Sequence, residues 1–118
     1  MTELINELQE MKKTEIFNII ANTQPSSELE KVEKFTVKYM VTEQIQLEGV
    51  SETREVEKAT LICEVNGELV GYHSTSLTLN AQLKKAITFF GEEISTQGFT
   101  LAMVKKDTRS QYELRTIA

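Results

Sequence analysis

The residues best suited to binding chemistry lie near the C-terminal end of the chain. Lys105, Lys106 and Arg109 fall within five residues, in a polar stretch between two alternating apolar patterns. Side chains at the tip of such a hairpin splay outward, where lysine and arginine can pair with phosphate oxygens. Tyr112 and Arg115 follow in the second strand pattern. The cluster therefore indicates a polyanionic ligand, with a merely solubilising turn as the alternative.

Further candidates of the same chemical types lie in the middle of the chain. A protein that binds single-stranded nucleic acid regardless of its sequence needs cations along the phosphates and flat side chains on which the bases can stack. The residues that meet this description are Lys34, Lys38, Arg54, Lys58 and Tyr72. Tyr72 is explained equally well as a core residue. These groups would converge with the basic turn only if the strands closed into a barrel.

The distribution of charge is uneven. The net charge is −5, which does not indicate a strongly basic nucleic-acid binder. Residues 1–33 hold seven acidic and three basic side chains, whereas residues 98–118 hold two acidic and four basic ones. Such a gradient can place one positive face on an acidic molecule.

Signals of catalysis and of metal binding are missing from the sequence. The chain has one cysteine, Cys63, and one histidine, His73, and it has no glycine-rich phosphate loop and no G-x-S-x-G pattern. The sequence therefore predicts no enzyme, no cofactor and no metal site. Cys63 lies in an apolar strand pattern and is interpreted as a core residue. The lone cysteine, the acidic start and the lack of an 18-residue apolar run predict a cytoplasmic protein with no membrane partner.

A strand, a tight turn, a second strand and a helix follow one another between residues 58 and 94. Asn66-Gly67 is a strong hairpin signal, because a type I′ turn needs positive φ at both central residues. The helix pattern has apolar residues at steps of three and four, namely Leu79, Leu83, Ala86, Ile87, Phe90 and Ile94. Lys84 and Lys85 then belong to its solvent face, and Phe89 lies at the flank of the stripe.

A long alternating strand is predicted over residues 34–48. Its apolar face would hold Phe35, Val37, Tyr39, Val41, Ile45 and Leu47, with Met40 on the polar face beside Lys34 and Lys38. Because Glu43 interrupts the apolar face, a bend or bulge is expected near it.

The predicted order is strands at 34–48, 57–65, 68–75, 98–106 and 110–117, with a helix at 78–91 between the third and fourth. This order indicates an α+β, OB-like domain over residues 34–118, a five-stranded, mainly antiparallel curved sheet or barrel. The alternative is an α+β sandwich with the helix on one face of an open sheet.

Residues 1–33 are interpreted as an N-terminal helical extension. Leu4, Leu8 and Met11 predict a helix over residues 2–12, and residues 14–22 either continue it or dock as an extended segment. The extension is expected to pack on the domain or on a second copy, which would make a homodimer.

The layout from about residue 35 to 116 resembles the small single-stranded-DNA-binding proteins of tailed phages of Gram-positive bacteria. The resemblance lies in TVKYMVTEQIQLE, in a G-x-x-x-G-Y-x-S-T-S return over residues 67–76, in FFGEE over residues 89–93, and in the hairpin TLAMVKKDTRSQYELRT. It implies an OB-like fold and single-stranded DNA binding in phage replication or recombination. A second hypothesis is a phage-encoded interaction protein that inhibits a host enzyme or defence system through its acidic surface.

Overall fold

The computed structural model describes residues 2–6, 13–48 and 53–117. These residues form strands, α-helices and short 3₁₀ helices in the order β1 (Thr2–Asn6), α1 (Lys13–Ile20), β2 (Gln24–Pro25), a 3₁₀ helix (Ser26–Lys31), β3 (Thr36–Glu48), β4 (Thr53–Val65), β5 (Glu68–Ser74), α2 (Leu77–Phe90), a second 3₁₀ helix (Gly91–Ser95), β6 (Gly98–Lys106) and β7 (Arg109–Ile117). The mixed α+β class is confirmed. No helix in the described part of the chain is long and apolar enough to cross a membrane.

Five strands form one sheet in the order β1-β3-β4-β5-β2, and β6 and β7 form a separate hairpin. All neighbouring strands are antiparallel except β2, which runs parallel to β5. One bridge joins the sheet to the hairpin: the backbone N–H groups of Phe35 and Phe99 each donate to the other residue's carbonyl, at 2.9 and 2.8 Å. Across the described residues the sheet does not close into a barrel.

The β4–β5 hairpin has the turn that its sequence predicts. Asn66 and Gly67 have φ of 53° and 81°, both in the left-handed region that a type I′ turn requires. Val65 pairs with Glu68 directly before and after the turn. The two-residue connection therefore sets the register of β4 against β5.

The expected irregularity in β3 lies at Lys38, and the prediction near Glu43 is wrong. The register shifts between Val37, which pairs with Cys63, and Tyr39, which pairs with Ile62. Because β3 has one extra residue there, each later side chain of the strand points to the opposite face of the sheet from the one predicted. Met40 is consequently fully buried, while Tyr39 moves to the opposite face, the reverse of the predicted alternation.

The main core lies between the sheet on one side and α2 with the β6–β7 hairpin on the other. Its centre is built from Val37, Met40, Leu61, Cys63, Leu79, Leu83, Phe35 and Phe99, all buried in one cluster. Burial removes the Cys63 thiol from water and raises its pKa above the ordinary value, which keeps it neutral. Cys63 is therefore a core residue, as predicted.

The opposite face of the sheet is covered by α1, which packs on β4 and β5. Gly71 allows this approach, because a Cβ at that position would lie 2.7 Å from the Ile19 carbonyl oxygen. A hydrogen bond of 2.9 Å between the Thr23 hydroxyl and His73 Nδ1 joins the end of this segment to β5. Residues 14–22 are expected from the sequence either to be helical or to dock as an extended segment. The structure has a helix over Lys13–Ile20.

The N-terminal residues 2–6 form a strand, so the predicted helix over residues 2–12 is wrong there. This strand pairs antiparallel with residues 39–42 of β3. Residues 7–12 of that prediction lie outside the described residues. Leu29 of the first 3₁₀ helix is buried in the same core cluster as Phe35 and Phe99. The segment before residue 34 therefore contributes both a sheet edge and core volume.

Candidate nucleic-acid interface

The basic turn is a two-residue hairpin tip between β6 and β7. Lys106 pairs with Arg109 as the last pair of the ladder, and Asp107 takes a positive φ of 56° in the turn. The side chains of Lys105 and Arg109 are exposed, and neither forms an ion pair with another described residue. The side chain of Lys106 lies outside the described part. Among the described residues, the tip therefore offers two cations without an ion-pair partner, Lys105 and Arg109, with the carboxylate of Asp107 between them in sequence.

The strands behind the tip differ on their two faces. Met103 and Tyr112 are paired on the face that continues into the core; Tyr112 is half-buried there, whereas Met103 is 46% exposed. On the other face, Arg115 Nε donates to Glu113 Oε1 at 2.6 Å. That exposed ion pair offsets the charge of Arg115. Tyr112 therefore does not present a fully exposed ring, and Arg115 does not present an unpaired cation.

Lys34 and Lys38 meet in one polar cleft of about 450 Å³ at the start of β3. The cleft lies against the β4–β5 turn and the second 3₁₀ helix, and its other lining residues are Thr36, Glu64, Asn66, Gly67, Ser95 and Thr96. Lys38 Nζ donates to the Ser95 carbonyl oxygen at 2.7 Å, which holds this cation at the wall. The Lys34 stem passes over Gly98, where a Cβ would lie 2.5 Å from Lys34 Cε.

The cleft and the hairpin tip lie at opposite ends of β6. Gly98, beneath Lys34, and Lys105, at the tip, are seven residues apart on an extended strand. At about 3.3 Å per residue, this separates their backbones by roughly 23 Å. The predicted cations are therefore divided into two groups, which an extended ligand would have to span.

A glutamine of α2 occupies the free edge of β7. Gln82 Nε2 donates to the Tyr112 carbonyl oxygen at 2.8 Å, and the Leu114 N–H donates to Gln82 Oε1 at 2.7 Å. The side-chain amide thus takes the place of a neighbouring strand's peptide group. In the described residues β7 therefore has Gln82 at this edge, β5 has β2 at its own edge, and the two strands do not pair.

Tyr72 is buried in the core, with only 3% of its surface exposed. Burial raises the pKa of its hydroxyl above the ordinary value, with smaller contributions from Cys63 and Glu28. A ring in this position has no open face for a base. The structure thus corrects the predicted stacking role of Tyr72 and favours the core interpretation.

The remaining two candidates lie along the β3–β4 pair. Lys58 is half-buried on β4, and its backbone lies opposite Glu43 in the β3–β4 ladder. Arg54 pairs through its backbone with Leu47, close to the end of the same two strands. Neither residue belongs to the lining of the Lys34–Lys38 cleft.

The structure adds one aromatic ring to the binding candidates named from the sequence. Phe89 on α2 is 83% exposed, and it borders a shallow recess with Lys84, Lys85 and Thr88. The available signal was its position directly before Phe90, which belongs to the buried stripe. Adjacent helical residues point about 100° apart, so one of the two rings had to face away from the core.

Among the described residues, no group of three or more His, Cys, Asp and Glu side chains is placed to hold a metal ion. Comparison of the chain with protein-family models, curated proteins and solved structures found no match.

Proposed function

We propose that the protein binds single-stranded DNA without sequence preference. The observation that carries this proposal is the hairpin tip, where Lys105 and Arg109 project into solvent without an ion-pair partner in the described chain. A net acidic protein can hold a polyanion only where its cations are gathered. The Lys34–Lys38 cleft supplies a second set of cations for the same backbone.

An OB-like arrangement, open rather than closed, is part of the same proposal. What supports it is the order of β3, β4 and β5, then α2, then the β6–β7 hairpin, which follows the five strands and one helix expected from the sequence. The Phe35–Phe99 bridge joins the first of these strands to the fourth. The setting of phage DNA replication or recombination, in the cytoplasm of a bacterial host, comes from the resemblance noted in the sequence.

The direct test is titration of the full-length protein with fluorescent oligo-dT at several salt concentrations. Each phosphate contact with a single strand contributes about 0.7 to the slope of log affinity against log salt. Replacing Lys105, Lys106 and Arg109 by Ala should therefore weaken binding and flatten the slope by roughly two units.

A matched control removes the same charge elsewhere, with Lys12, Lys13 and Lys31 of the N-terminal segment replaced by Ala. This variant should retain the wild-type slope. Equal effects of the two triple variants would mean that overall charge, rather than the tip, determines binding. Absence of oligo-dT binding by the wild-type protein even at low salt would refute the proposed function.

A second candidate is an interaction protein that docks on a host enzyme or defence component through its acidic surface. The net charge of −5 and the exposed carboxylates of Glu30 and Glu33 favour it. Pull-down from host lysate with the wild-type protein and with Glu30→Lys/Glu33→Lys tests this candidate. It requires a captured protein whose retention is lost in the charge-reversed variant.

A further inference from the structure

The solvent face of α2 ends in an aromatic ring that has no role in the core. Phe89 is 83% exposed, more than any other ring among the described residues. It follows the buried residues Leu79, Leu83 and Ile87 on the same helix but points away from them. An exposed phenylalanine forgoes the free energy that burial would provide.

A series of aromatic contacts connects the Phe89 ring to the core. Phe89 meets Phe90 edge to face at a centroid distance of 5.2 Å and an angle of 89°. Phe90 meets Phe99 at 5.8 Å and 82°, and Phe99 meets Phe35 at 6.1 Å. Edge-to-face pairs have preferred geometry, so the contact with Phe90 favours one orientation of the Phe89 ring at the surface.

Cationic side chains border the exposed ring. Lys85 lies one helical turn before Phe89, is exposed, and makes no ion pair with another described residue. Lys84 borders the same recess but is paired with Glu57 of β4, which anchors that wall. The recess, of about 480 Å³, thus combines a flat apolar ring, one uncompensated ammonium group and the Thr88 side chain.

We propose that Phe89 is a stacking platform for a base of a single-stranded nucleic acid and that Lys85 contacts an adjoining phosphate. The proposal rests on the proposed function for its ligand but assigns a surface separate from the hairpin tip. Base stacking on an aromatic ring beside a cation is the combination that sequence-tolerant single-strand binding uses. It supplies the flat face that the buried Tyr72 does not.

The surroundings favour a nucleic acid over a protein occupant. A partner helix or strand would need a continuous apolar surface, but the next large exposed apolar residue on α2 is Leu77, twelve residues away. At 1.5 Å per residue this is about 18 Å along the helix axis. Exposed Lys85 and Thr88 lie between these two ends. An isolated ring among polar groups matches one base and its phosphate.

The test uses the full-length protein and fluorescent oligo-dT. Phe89→Ala should bind about 5- to 150-fold more weakly with an unchanged salt slope, because stacking releases no counterions. Lys85→Ala should flatten the slope by about 0.7. Leu77→Ala, an equally exposed apolar residue on the same helix, is the matched control and should bind like the wild type. Thermal melting confirms that the variants remain folded.

A spectroscopic readout reports the stacking itself. The chain has no tryptophan, so Phe89→Trp places a single indole at the platform. Its emission should be quenched by oligo-dT, whereas Leu77→Trp should not respond. The inference is overturned if Phe89→Ala binds oligo-dT with wild-type affinity and the emission of Phe89→Trp is not quenched. The proposed function still stands in that case if replacing Lys105, Lys106 and Arg109 weakens binding. A change of emission with protein concentration alone would also overturn it, because a second copy would then cover the ring.

Discussion

At the scale of single residues, two buried glycines illustrate two kinds of close packing. A Cβ at Gly71 would lie 2.7 Å from a backbone oxygen, that of Ile19, and 3.1 Å from the Ile19 and Thr23 side chains. A Cβ at Gly98 would lie 2.5 Å from Lys34 Cε. The first neighbour is main chain of a packed helix, whereas the second is the far part of a flexible side chain. The two sites therefore differ in how easily they make room.

Gly71→Ala should lower the free energy of unfolding by ~1–3 kcal/mol, because α1 must move away from β5 to accept the methyl group. Gly98→Ala is the matched control and should cost less than half as much. There the Lys34 stem can swing aside, and the reduced freedom of the unfolded chain returns ~0.4–1 kcal/mol. Urea unfolding measures both values. A Gly71→Ala variant as stable as the wild type would contradict the close packing of α1.

At the scale of elements, α2 shows how local signals and tertiary contacts agree. Its first turn is capped by the Ser76 hydroxyl, which accepts from the Leu79 N–H at 3.2 Å. At its C-terminal end Gly91 takes a positive φ of 58° and donates its N–H to the Ile87 carbonyl oxygen. Between these ends, one face is buried against the sheet and the β6–β7 hairpin. The helix therefore begins and ends close to where its sequence predicts.

Leu83→Ala should destabilise the protein by ~2–5 kcal/mol, since it leaves a cavity at a residue that is 1% exposed. Leu77→Ala makes the same chemical change on the same helix at a position that is 82% exposed. It should change stability by no more than about 0.5 kcal/mol. Chemical denaturation of both variants checks the pair, and equal losses would mean that the buried face of α2 is assigned incorrectly.

At the scale of the whole molecule, the first 33 residues contact the sheet in several places. The strand β1 extends the edge at β3, and β2 extends the edge at β5. The helix α1 covers the face opposite to the main core, where Ile62 is fully buried. Paired edges also block further strand addition. The N-terminal segment thus protects apolar surface and strand edges of the rest of the chain.

Deleting residues 1–24 should therefore lower the free energy of unfolding by at least about 2 kcal/mol, roughly the value of burying one large aliphatic side chain such as Ile62. The exposed face should also promote self-association or reduce solubility. Deleting only residues 1–6 retains α1 and should cost less. Thermal melting and sedimentation velocity measure both effects. A 1–24 deletion that melts and sediments like the full chain would show that the segment is a free tail.

Elements whose signals are local can be predicted from the sequence. Three signals depend only on neighbouring residues: the positive-φ requirement of Asn66-Gly67, the 3.6-residue period of α2 and the alternation in β6 and β7. The strands and α2 after residue 35 accordingly lie within a few residues of their predicted bounds, and the basic tip lies on a hairpin turn. The identity of any ligand of that tip stays a prediction.

Which residues share a surface depends on long-range contacts that the sequence pattern does not reveal. The bulge at Lys38 reverses the faces of β3 because the register must fit β4, which no local period reveals. Residues 2–6 have an amphipathic pattern that also suits a helix, yet an available strand edge pairs with them. Gln82 bonds to the edge of β7 and the β6–β7 hairpin stays a separate sheet, so the cations that barrel closure would gather remain apart. Burial of Tyr72 follows from the same long-range packing, since its position on β5 was compatible with either environment until its neighbours were in place.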